Sequence, residues 1–85
     1  MSEQPLGTIT HYFAKPEVGV IKLTGGLQVG DTLHFRGHST DFQQQLTSMQ
    51  VEHANVEAAA AGSEVAVKVD QRVRPGDEVF KVAPD

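Results

Sequence analysis

Apolar residues recur at every second position along several short runs of this chain, which is the period of a strand with one buried face. In "TLHF", Leu33 and Phe35 share one side while Thr32, His34 and Arg36 take the other. In "SEVAVKV", Val65, Val67 and Val69 point inward and Ala66 and Lys68 outward. "LGTITHYF" sets Ile9, His11 and Phe13 on one side and Thr8, Thr10 and Tyr12 on the other. Pro16 lacks a ladder N–H and so forces a turn before "VGVIKL", a second β-branched run; "EVFKV" closes the series.

Two segments need more argument. "DFQQQLTSMQVEHANV" holds helix-compatible residues, but its apolar positions Phe42, Leu46, Met49 and Val51 switch parity between 46 and 49, which predicts a long strand with a bulge. "VEAAAAG" favours helix by its alanines, yet Gly62 ends it before two turns are complete, which predicts a connection with at most one helical turn. The expected architecture is all-β: six strands at about 6–13, 17–23, 32–36, 41–53, 63–70 and 78–82, in a barrel or sandwich, within a single domain over 1–85.

The glycines mark turns. "VGDTL" at 29–33 is echoed by "PGDEV" at 75–79: glycine supplies a positive φ, aspartate satisfies local backbone donors, and a strand follows. A phosphate-cradling loop would need a helix after the glycines and a lysine to close it, and neither is present. No nucleotide and no other cofactor is expected. With 85 residues the core is thin, and with no cysteine there is neither a disulfide framework nor a thiolate metal site. The N-terminal "MSEQPLGTITHYF" has no basic start and no long apolar stretch, so a cytoplasmic protein without a membrane segment is expected.

Formal charge is −4, which argues against strong nonspecific nucleic-acid binding. The local exception is Lys68, Arg72 and Arg74 in "KVDQRVR", readable as a solvated strand edge or as a contact for phosphate or carboxylate. His34 and His38 lie four apart, about 13 Å along an extended strand and too far to share a metal unless Gly37 turns sharply. No metal site is expected. Ser39, His38 and Asp41 have the residue types of a hydrolase triad, but three neighbours in one loop do not converge with an oxyanion hole behind them, so no enzyme activity is expected. The loop "RGHSTDFQQ" has two readings: a recognition loop with an exposed Phe42, or a capped turn in which Thr40 and Asp41 satisfy backbone groups and Phe42 is core. The expected partner-binding residues are His38 and Asp41 in that loop together with Arg72 and Arg74.

The order "GTITHYF", "VGVIKLTGGLQVGDTLHF", "LTSMQV", "AAAAGSEVAVKV" and "VRPGDEVF" resembles the second domain of elongation factor Tu-type translation factors. "GHSTDF", "SMQVEH" and "VRPGD" are similar to landmarks of small free-standing translation elongation factor-like proteins. The resemblance implies a six-stranded closed Greek-key β-barrel. It also puts Ser48 where those factors carry a carboxylate for the tRNA end, and Glu64 at the position of an amide partner. No "GxxxxGK[ST]" occurs, so their GTPase apparatus is missing. The expected function is a noncatalytic, monomeric binding module contacting a ribonucleoprotein or protein of the translation machinery, with RNA as one conceivable ligand. The alternative is an accessory barrel acting in trans with a peptidase-like or RNA-modifying enzyme, since a similar barrel forms the C-terminal appendage of the collagenase-like peptidases.

Overall fold

The computed structural model describes residues 2–83. Ten strands and no helix occur among them: β1 (Ser2–Phe13), β2 (Val18–Leu23), β3 (Leu27–Gln28), β4 (Thr32–Arg36), β5 (Asp41–Gln45), β6 (Met49–Val51), β7 (Ala54–Val56), β8 (Ala58–Ala59), β9 (Glu64–Lys68) and β10 (Glu78–Ala83). Eight form one sheet in the order β5-β4-β10-β1-β2-β9-β6-β7, and β3 pairs with β8. The main-chain ladder therefore has two edges, β5 and β7, and no sheet closes into a barrel among the described residues. It must nevertheless curl strongly. β5 and β6 lie near opposite edges of the sheet but are joined by residues 46–48 alone, a span of roughly 13 Å at full extension. Gln44 bridges the two flanks with its side chain: Nε2 donates to the Lys68 carbonyl at 2.8 Å and Oε1 accepts from the Asp70 amide at 2.7 Å.

Inside the curl lie Ile9, Ile21, Leu33, Phe35, Val65, Val67, Val69 and Val79, each at most 1% exposed, with Leu46 and Met49 beside them. The alternation expected for "TLHF" and "SEVAVKV" is the one found. "LGTITHYF" departs from expectation, because the register with β2 shifts between Ile9 and His11. One extra residue, Thr10, flips the parity: Tyr12 packs against the core, while His11 and Phe13 face out. The long strand expected at 41–53 is two strands broken by a corner at residues 46–48, where the chain passes from one flank to the other. "VEAAAAG" forms no helical turn; it supplies parts of β7 and β8.

Turn chemistry places these elements, and one device occurs three times. Gly30, Gly62 and Gly76 have φ of 101°, 92° and 95°. Each donates its amide to the carbonyl of a distant buried residue, Leu46 in the 46–48 corner, Leu23 in β2 and Ile9 in β1 respectively, at 2.8–2.9 Å. The same buried residue donates back, at 2.8 Å, to the carbonyl of the residue after the glycine: Asp31, Ser63 or Asp77. In two of the three the aspartate adds a bond, Asp31 Oδ2 accepting from the Gln28 amide and Asp77 Oδ2 from the Arg74 amide, both at 2.9 Å. The expected turns at 29–33 and 75–79 are thus clasps that grip a distant stretch of chain, and "AGSEV" is a third. Antiparallel β1 and β10 bring the ends of the described chain together, with Ser2 opposite Ala83.

Candidate functional site

The outer face of β5-β4-β10-β1 carries the chain's densest polar arrangement. His34 lies opposite Phe80 of β10 and Gln43 of β5. Its Nδ1 is 2.8 Å from Glu3 Oε1 and its Nε2 is 2.5 Å from Asp41 Oδ1, so one ring joins carboxylates from β1 and β5. The ring is only 12% exposed. Its hydrogen bond to Asp41 holds its pKa above the ordinary 6.5; burial opposes this, and the bond and charge of Glu3 add to the rise. Beside it the Arg36 guanidinium sits 5.8 Å from the centroid of the Phe80 ring. Arg36, Gly37, Gly76, Glu78 and Phe80 enclose a dent of about 300 Å³.

The four expected contact residues are distributed around this face. Asp41 belongs to the His34 cluster, whereas His38, Arg72 and Arg74 are exposed on neighbouring loops. The loops themselves do meet. A Cβ built on Gly37 would run into the Asp77 carboxylate, so the 37–40 loop lies directly on the 74–77 turn. Among the described residues no hydrogen bond or ion pair joins His38, Arg72 and Arg74 to one another. Asp41 is engaged by His34, so it does not orient His38 toward Ser39. Phe42 is 8% exposed and stacks on Phe35 with centroids 4.9 Å apart, so the aromatic of this loop is core; Thr40 is buried and its carbonyl accepts from the Gly37 amide at 2.7 Å, while the Asp41 carboxylate goes to His34 rather than to the backbone. No group of three His, Cys, Asp or Glu is placed to hold a metal among the described residues.

Sequence reasoning weighed His34 only as an outward strand residue and as a metal ligand with His38, not as the centre of a carboxylate cluster. Glu3 lies outside the strand expected to begin at 6, so its approach was invisible. Asp41 was within reach: a four-residue connection pairs Arg36 with Asp41 and makes Asp41 a diagonal neighbour of His34 on one face. A groove of about 800 Å³ beside β3 and β8 is lined mainly by glycine, alanine and leucine. Its single ammonium, that of Lys81, faces Asp31 at 3.5 Å.

No family model matches the chain. An uncharacterized protease of Methanocaldococcus jannaschii is 36% identical over 76 residues, covering 88% of this chain. The chain spans 19% of that relative's length. The crystal structure of the C-terminal domain of a putative U32 peptidase from Geobacillus thermoleovorans matches with a TM-score of 0.88 at 19% identity, over 94% of this chain and 93% of that one. Its selenomethionine variant gives 0.85, also at 19%, over 89% and 96%. The fold is therefore that of this C-terminal domain. These findings overturn the resemblance to elongation factor Tu: similarity in sequence and in structure runs to peptidase-named proteins. The tRNA-end roles implied for Ser48 and Glu64 fall with it.

Proposed function

We propose that this domain is a noncatalytic accessory module that acts with a peptidase-like protein. The observation that carries the proposal is the alignment itself: nearly the whole chain corresponds to one fifth of a longer protein described as a protease. The fold shared with a peptidase's C-terminal domain supports the same reading. For such a role the curled sheet, its flanks tied together by Gln44, presents the loops beside His34 to the partner. Arg72 and Arg74 meet carboxylate or phosphate groups through paired N–H donors, while His38 and Asp41 supply selectivity.

The test is co-purification after crosslinking in the native cell. One dominant peptidase-like protein is the expected capture, and its absence overturns the proposal. Arg72→Ala with Arg74→Ala should weaken that capture and flatten its salt dependence while leaving the melting temperature nearly unchanged, because both side chains are exposed. Undiminished capture by the double variant removes these arginines from the contact.

A further inference from the structure

On the other flank of the sheet four outward positions of three adjacent strands are apolar, among His11, Lys22, Glu64 and Lys68 on the same face. The bulge at Thr10 turns Phe13 outward, and at 52% exposure it is one of two exposed large hydrophobic residues among those described, the other being Val29. Register places Phe13 opposite Val18, and Val20 opposite Ala66. These four side chains form one strip across β1, β2 and β9. They border a depression of about 400 Å³ that is closed on one side by the 52–53 turn. The charged side chains lining it are Glu52 and Glu64, and no cation stands within ion-pair distance of either among the described residues. Lysines do lie nearby. Lys22, the cross-strand partner of Glu64, gives its ammonium to the Gly62 carbonyl at 3.2 Å, and Lys68 is the cross-strand partner of Val18.

Backbone strain converges on the same place. Three non-glycine residues have positive φ among those described: Glu17 at 57°, Glu52 at 51° and His53 at 66°. Glu17 follows Pro16 in the turn that bounds the depression, and Glu52 and His53 form its opposite rim. Such conformations each cost of order 1 kcal/mol or more, and elsewhere this chain gives positive φ to glycine. Here it carries acidic and aromatic-ring side chains instead, all of them exposed.

We infer that the Phe13–Val18–Val20–Ala66 strip with its Glu52 and Glu64 rim is a docking surface for a protein segment that presents an apolar side chain flanked by lysine or arginine. Charge complementarity selects the occupant. The apolar centre takes the uncharged side chain, and the carboxylates of Glu52 and Glu64, the latter also accepting from the Thr10 hydroxyl at 3.4 Å, take the flanking cations. A second copy of this chain offers the same carboxylates and repels. The inference extends the accessory-module reading, since the segment would belong to the peptidase-like partner.

Two experiments separate the claims. The first titrates the ¹⁵N-labelled full chain with a defined peptide, acetyl-Lys-Leu-Phe-Lys-amide, and with its analogue in which both lysines are glutamates. Amide shifts should cluster at Phe13, Val20, Gln50 and Ala66 with the basic peptide. They should require about fivefold more of the acidic one, the effect of two exposed charge pairs. Phe13→Ser should abolish them and Glu52→Gln with Glu64→Gln should reduce them, all variants melting as the parent does. Shifts elsewhere, or equal affinity for both peptides, overturn the surface. So does self-association by sedimentation that Phe13→Ser removes, which would assign the strip to a second copy. The second experiment repeats the crosslinked co-purification with Phe13→Ser. Lost capture of the peptidase-like protein supports the assignment of this partner, while undiminished capture overturns it and leaves the accessory-module reading standing. Peptide binding without any peptidase-like capture would sustain the surface and overturn that reading.

Discussion

His34 holds two carboxylates from strands at different places in the chain, and it does so fully only when protonated. An imidazolium donates from both ring nitrogens, to Glu3 and to Asp41, whereas the neutral ring has one N–H to give. The folded-state pKa is raised above 6.5, so the stabilisation is fully present below about pH 6.5 and is lost as pH rises through the folded value. The melting temperature of the parent should therefore fall across that window relative to His34→Gln, measured by circular dichroism at a series of pH values. Parallel curves would show that the ring's charge contributes nothing. Gly7 offers a second test. A Cβ there would lie 2.4 Å from the Lys22 carbonyl oxygen and 2.7 Å from Ile21 Cγ2, contacts with backbone and a buried side chain that have no room to yield. Gly7→Ala should destabilise the domain by about 2 kcal/mol or more, read from chemical denaturation.

The three glycine clasps show what was legible in the sequence at the level of strands and turns, and what was not. The two Gly-Asp turns were readable because aspartate after glycine has a local job, which the Gln28 and Arg74 amides reveal. Which stretch each turn grips was not readable, since Ile9 and Gly76 are joined only by the fold. The strands themselves were legible where β-branched residues alternate strictly, as at Val65, Val67 and Val69. The parity of β1 was not, because a bulge at Thr10 leaves no mark that Thr–His–Tyr would not carry anyway. The site was the least legible part: His34 draws on Glu3 and Asp41, and only the hairpin partner could be inferred from local spacing. Among the clasps, Asp77 is buried and Asp31 only partly so. Asp77→Ala should thus cost more, about 1–3 kcal/mol, as it strips the Arg74 amide of its acceptor, and Asp31→Ala less; urea midpoints would rank them.

The sheet as a unit depends on a thin apolar interior and one polar bridge. Val67 is fully buried at the pairing of β2, β9 and β6, and Val67→Asp would place an unpaired charge there. That burial costs several kcal/mol, against a total stability of only about 5–10 kcal/mol for a domain of this size, so the cooperative thermal transition should vanish. Gln44→Ala should act more mildly, freeing the two flanks it ties together. The pairing of β1 with β10 has a mechanical meaning as well. Because Ser2 and Ala83 face each other at the same end of one antiparallel ladder, tension applied between them runs across the strands. The bonds are then loaded one after another, like the teeth of a zip, and the ladder peels at low force. Tension applied between Ser2 and Glu78, at opposite ends of that ladder, would load the bonds together in shear and meet far greater resistance. A body that hauls on this domain by its two ends would find it a weak link, whatever its resistance to heat.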